Sequence, residues 1–205
     1  MSRHTMRAIR RVMAFALLPA VLSVTPASAQ WWTALSYQPA QPLANTQEVT
    51  DAFGWRGIGL DFKKQMSDNL ALGLSFGWQV FDQQTDQVVS AFGVDISGDQ
   101  FRYVNSFPML ANVSYFLGRP GNLRPYLAAN VGTYVLEQRM DIGLYSIHET
   151  NWHFGFGPEA GLAIPVRPGL SAVLSSRYNY ALSAGNVDDQ SYVSFGLGLA
   201  WTHGY

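Results

Sequence analysis

The sequence predicts an all-β fold, an eight-stranded antiparallel up-and-down transmembrane β-barrel. Three observations carry that expectation. Apolar residues recur at every second position along most of the chain, the signature of strands with two unlike faces. Connections alternate between short turns and longer polar stretches, as hairpins do at the two ends of a barrel. Only 13% of residues are charged, while 14% are aromatic and 19 are Gly. Charged residues usually make up about a quarter of a soluble chain, so this balance suits strands that face hydrocarbon.

Residues 1–29 read as a cleaved leader. Arg3, Arg7, Arg10 and Arg11 give a basic start, and Val12 to Val24 is an apolar run interrupted by Pro19. Ala27-Ser28-Ala29 then offers a small-residue cleavage site before Gln30. The run is short for a membrane-spanning helix. There is no Cys, so disulfides, thiolate metal sites and lipid attachment at a cleavage-site cysteine are excluded. Without the leader's four Arg, nine basic and fourteen acidic residues remain, a formal charge of −5. That balance argues against a nucleic-acid partner. Residues 30–205 are most simply one domain.

Eight strands are expected, at about 31–38, 53–64, 70–82, 100–116, 124–136, 151–164, 170–182 and 191–204. The third is the clearest: Leu70, Leu72, Leu74, Phe76, Trp78 and Val80 share one face, against Ala71, Gly73, Ser75, Gly77 and Gln79. In the fourth, Asn105 has the parity of the apolar face, so either it lies above the apolar band or a bulge re-phases the strand. The fifth sets Leu127, Ala129, Val131 and Val135 against Tyr126, Ala128, Asn130, Gly132 and Tyr134. In the sixth, Trp152, Phe154, Phe156, Ala160, Leu162 and Ile164 oppose His153, Gly155, Gly157, Glu159, Gly161 and Ala163. The eighth alternates Val193, Phe195, Leu197, Leu199 and Trp201 with Ser194, Gly196, Gly198, Ala200 and Thr202. Short turns at 65–69, 117–123 and 165–169 carry Ser-Asp-Asn, Arg-Pro-Gly-Asn and Arg-Pro-Gly. Longer connections fall near 39–52, 83–99, 137–150 and 183–190. An even strand number leaves both termini at the short-turn end, which is periplasmic in transmembrane barrels.

Alternation alone does not say which face looks inward. Strands 151–164 and 170–182 form a hairpin about Arg167 and Pro168, so residues opposite each other have numbers that sum to about 336. Glu159 and Arg177 meet that condition, on the Gly/Ser face. Facing lipid, this pair would be prohibitive. Inside a narrow barrel each charge neutralises the other, and Asp61 and Lys63 have the parity to join them. The pair is either a satisfied structural contact or a gate or binding site. Aromatics near strand ends fit two headgroup belts: Trp31, Trp32, Tyr115, Phe116 and Trp201 at the short-turn end, Trp78, Phe101, Trp152 and Tyr180 toward the other.

Several stretches resemble one family. "RPYLAANVGTYV" (Arg124–Val135), "FPMLANVSYFLG" (Phe107–Gly118) and "SSRYNYAL" (Ser175–Leu182) are similar to strands of the OmpA-like outer-membrane β-barrels, and the last strand runs to an aromatic terminus at Tyr205. His203 departs from the apolar residue usual there. The resemblance covers about 30–205. It implies a small barrel in the outer membrane of a Gram-negative bacterium, in contact with its lipid and lipopolysaccharide. It also implies recognition by barrel-assembly machinery through the aromatic terminus. The peptidoglycan-binding domain of larger members is not expected in this chain.

Eight strands enclose a space that side chains nearly fill, so no wide channel is expected. The leading reading is a membrane anchor that presents four loops, with 39–52 and 83–99 as candidate contacts for an unidentified extracellular partner. Loop 83–99 has the apolar Val88, Val89, Phe92, Val94 and Ile96 to pair as a hairpin, or to pack as a cap over the mouth. A narrow route for ions or small apolar solutes is the alternative, with Glu159 and Arg177 as a movable plug. A lipid-modifying enzyme is a third reading, and the residues do not favour it. Ser146 and His148 lie in an expected loop without a clear acid partner, and "SRYNYALSAGN" lacks the His of lipid A deacylases. No cofactor is expected. His148, His153 and His203 have no metal-ligand spacing, and His153 is read as a lumen filler.

Overall fold

A computed structural model describes residues 30–204 except 92, 93, 143, 144 and 186. The expected leader at 1–29 and the terminal Tyr205 lie outside the described residues. The strands are β1 (Trp31–Tyr37), β2 (Ala40–Leu43), β3 (Arg56–Gln65), β4 (Leu70–Ala91), β5 (Val94–Phe116), β6 (Arg124–Ile142), β7 (Tyr145–Arg167), β8 (Leu170–Ala181) and β9 (Gln190–His203). A short helix, α1 (Ala44–Val49), follows β2.

Each strand pairs antiparallel with its neighbour, and β1 pairs with both β3 and β9. The sheet therefore closes. Nine segments make an eight-stranded barrel because β1 and β2 are two pieces of one strand, both laid along β9. The break falls at Gln38–Pro39, where proline has no N–H to give a neighbour. Ladder bonds resume at once, from the Ala40 amide to the Gly54 carbonyl at 2.8 Å. The stretch 39–52, expected as a polar connection, is thus a continued strand and a helix. Thr46 of α1 fastens that helix to β9, donating from its hydroxyl to Gln190 (2.8 Å) and accepting from the Ser191 amide (2.9 Å).

The alternation resolves as polar inside and apolar outside. Leu74, Phe76, Trp78, Val113, Leu127, Val131, Phe154, Leu174 and Leu197 are exposed on the outer wall. Ser75, Ser106, Asn112, Asn130, His153, Glu159, Arg177 and Asn179 are buried. This is the distribution of a barrel whose solvent is lipid. Asn105 sits opposite Val80 on β4, and the β4–β5 ladder runs on above it in constant register. No bulge is needed there. The shift in register falls between Pro165 and Arg167, at a turn.

Two strand pairs are longer than the sequence indicates. The expected loops 83–99 and 137–150 are mostly strand: β4 and β5 pair up to Ala91↔Val94, the hairpin alternative for 83–99, and β6 and β7 pair up to Ile142↔Tyr145. Beyond the apolar band, hydropathy no longer separates a strand from a loop, because both can be polar there. The hairpins also pair with each other as far as Gln100↔Ile142. The result is a four-stranded sheet that rises from one side of the barrel.

Candidate functional site

The interior holds a charged belt between two apolar clusters. At the short-turn end Trp32, Ala34, Ala71, Phe116, Tyr126, Ala128, Ala163, Val173 and Ala200 cluster. At the long-loop end Ala40, Phe81, Val104, Leu110, Tyr134, Leu136, Ala181 and Tyr192 do the same.

The belt centres on Arg177. The β7–β8 ladder sets Glu159 opposite Arg177, as their numbering requires. The Arg177 Nε and a terminal nitrogen both donate to Glu159 Oε2, at 2.8 and 2.7 Å, and a terminal nitrogen lies 3.6 Å from Asp61 Oδ1. Glu159 also accepts from the Tyr126 hydroxyl (2.8 Å) and from Asn130 Nδ2 (3.3 Å). The Ser75 hydroxyl donates to Asp61. Asn112 donates to Asn130 at 2.6 Å, and Ser114 to Asn112 at 2.7 Å. Both lone-pair sets of the Glu159 carboxylate are therefore engaged. A buried carboxylate persists as an ion only under such conditions.

Lys63 lies close by but is held differently. It is fully buried, and its Nζ has no hydrogen-bond partner among the described residues. Aromatic faces take that place: Nζ is 4.7 Å from the Trp32 ring centre and 5.2 Å from that of Tyr126. A cation over an aromatic face is attracted by the ring quadrupole. The structure thus gathers Glu159, Arg177 and Asp61 into one network and places Lys63 in a cage beside it.

The aromatic residues divide. Trp31, Trp78 and Trp152 are exposed on the outer wall. Trp201 is half-buried, and Tyr180 packs on Phe156 at 5.3 Å. Trp32 corrects the interface assignment: it is only 8% exposed, points inward and forms the floor under Lys63. Phe116 is inward too, packed on Trp32 at 6.2 Å and Tyr126 at 5.2 Å. Trp31 and Trp32 are adjacent, so a strand can turn only one of them to lipid. Strand parity carried this information, and counting aromatics near strand ends missed it. Phe101 lies where side chains fall outside the described residues.

The Tyr126 ring needs a hole, and Gly161 makes it. The two residues pair across β6 and β7, and a Cβ at Gly161 would overlap the tyrosine ring. His153 is buried, with Nδ1 2.7 Å from the Leu182 carbonyl oxygen and Nε2 without a partner among the described residues. Ser146 and His148 are on β7, not in a loop, and their side chains fall outside the described residues. Among the described residues no group of three His, Asp or Glu side chains comes together to hold a metal.

The two ends differ in charge. Segments 44–56, 82–102, 137–149 and 182–190, all at the long-loop end, hold eleven of the fourteen Asp and Glu residues and only Arg56, Arg102 and Arg139. The short-turn end has Lys64, Arg119, Arg124 and Arg167 against Asp68 alone. Asp61, Lys63, Glu159 and Arg177 balance in the belt between them.

Known proteins agree with this geometry. The structure is similar to OprG of Pseudomonas aeruginosa (TM-score 0.59, 12% identity, 88% of this chain and 98% of that one). It is also similar to Ail, the attachment invasion locus protein of Yersinia pestis, solved in complex with the heparin analogue sucrose octasulfate (TM-score 0.56, 11% identity, 85% and 99%). The N-terminal barrel of OprF from Pseudomonas aeruginosa matches as well (TM-score 0.53, 17% identity, 86% and 99%). These identities speak for the fold alone. No curated protein sequence matches. The model of the outer membrane protein beta-barrel domain family matches residues 13–202, nearly the whole chain, and the protein belongs to that family.

Proposed function

We propose that the protein is a non-enzymatic outer-membrane anchor whose acidic, open-edged sheet takes an extended cationic segment of an extracellular partner. The short turns and both termini then face the periplasm, and the tall hairpins face outward. The observation that carries this reading is the contrast between closed barrel and open extension. Within the barrel the sheet closes on itself through β1, which pairs with both β3 and β9, and β2 is bridged to Gly54 at Ala40 beside its ladder with β9. In the extension, among the described residues, no strand covers the outer edge of Asp82–Ala91 in β4 or of Tyr145–Trp152 in β7. An unpaired strand edge is a template for adding another strand. Segments 82–102 and 137–149 bring seven carboxylates and two arginines to that sheet. Ail was solved with a sulfated sugar, a polyanion; the charge here favours a partner of opposite sign.

The probe is a Lys-alternating extended peptide, offered to the detergent-solubilised barrel and followed by fluorescence anisotropy. The parent is expected to bind it, more weakly as salt rises, and a variant lacking 86–97 is expected to lose that binding while its barrel stays folded. Equal binding by parent and deletion would remove the role of the extension.

A second reading follows from the belt itself. Glu159 and Arg177 sit where a narrow ion route would need a plug that rearranges. Planar-bilayer recordings of the parent against Glu159→Ala decide it: a conductance that rises in the variant supports a plug, and silence in both ends the idea.

A further inference from the structure

The short-turn mouth holds a cavity of about 950 Å³, large enough for a small organic ligand. Its floor is aromatic, made by Trp32 and Phe116. Its charged lining residues are Arg124 and Arg167, with His203 at the rim, and no Asp or Glu lines it among the described residues.

Arg124 is built for more than a turn contact. It is buried, and its guanidinium carbon lies 4.7 Å over the Phe116 ring. One terminal nitrogen donates to the Asp68 carbonyl oxygen. Its Nε, also buried, has no acceptor among the described residues. A buried guanidinium N–H without an acceptor is costly, and an anion in the mouth would relieve that. The Asp68 side chain offsets part of the Arg124 charge from the neighbouring turn. Arg167 adds charge across the mouth. The belt on that side is already neutral, so the field at the mouth is set by cations.

We infer that this mouth is a binding site for a small organic anion, one carboxylate or phosphate carried on a flat apolar body. The body lies on Trp32 and Phe116, and the anionic group meets Arg124 with Arg167 beside it. The site is separate from the extension, and its binding does not depend on any partner there.

The test uses the folded barrel in detergent and ¹⁹F NMR of 4-fluorobenzoate and 4-fluorophenyl phosphate, with 4-fluorobenzyl alcohol as the uncharged control. At least one anion is expected to bind saturably, the preferred one naming the group, and the alcohol is expected not to. Arg124→Gln is expected to weaken binding about tenfold, the loss of one charge-assisted pair. Arg167→Gln is expected to weaken it less. If Arg124→Gln does not fold, Arg167→Gln and the salt dependence decide instead. Signals that do not saturate, or that match between anion and alcohol or between parent and Arg167→Gln, mean partition into detergent and overturn the site.

Discussion

Two ion pairs of similar length mark the difference between the lumen and the rim. Arg177 meets Glu159 at 2.7 Å, with side chains 5% and 2% exposed. Arg56 meets Asp82 at 2.9 Å, with side chains 60% and 50% exposed. Water screens the rim pair, and its free ends lose freedom to hold one geometry. The lumen pair has no water to fall back on, so each partner depends on the other and on Tyr126, Asn130 and Asp61. Distance therefore says little about what a pair contributes. Surroundings decide it, and the two regions of this barrel offer opposite surroundings to the same chemistry.

The sharpest way to break that comparison is to remove one lumen partner. Arg177→Met leaves Glu159 and Asp61 buried without their cation and is expected to destabilise the barrel by about 3–5 kcal/mol, read from urea unfolding in lipid vesicles. Adding Glu159→Gln to it is expected to recover roughly half the loss, since much of the penalty belongs to the stranded charge. A double variant no better than the single would mean that the pair is not coupled.

Gly161→Val tests the same network without touching a charge. Its side chain displaces the Tyr126 ring, an overpacking expected to cost about 1–3 kcal/mol, visible as a lower unfolding temperature by circular dichroism. Tyr126→Phe removes one donor to Glu159 and leaves the rest of its shell, a loss of about 1.5 kcal/mol in the same urea assay. At the small end, Asp82→Asn breaks the rim pair, with an expected change below about 0.5 kcal/mol that shrinks further at high salt. If that substitution matches Arg177→Met, the distinction between lumen and rim fails.

The sequence exposed the parts of this molecule governed by period two. Strand parity separated Leu74 from Ser75 and Phe154 from His153, and hairpin arithmetic set Glu159 against Arg177. It was weaker where lipid stops imposing a pattern. The continuation of β4 to Ala91 opens on polar residues, and its Val88 and Val89 fit a hairpin or a cap, while β7 back to Tyr145 mixes polar residues with Tyr145 and Ile147 in a way that fits a strand or a loop. The break at Gln38–Pro39 and the helix after it depend on β9, a neighbour far away in the chain. The Lys63 cage needs Trp32, Lys63 and Tyr126 from three different strands. No local pattern announces it, though the inward parity of Trp32 was there to be read.

Closure has a consequence for how the molecule comes into being. The seam joins residues 31–43 to residues 190–203, the first and last strands of the fold. Synthesis delivers the two halves of that seam at opposite times, so the ring stays unsealed until the final segment arrives. For that interval the chain is an unzipped curtain with bare hems, and its safe passage depends on whatever holds those hems apart from other chains.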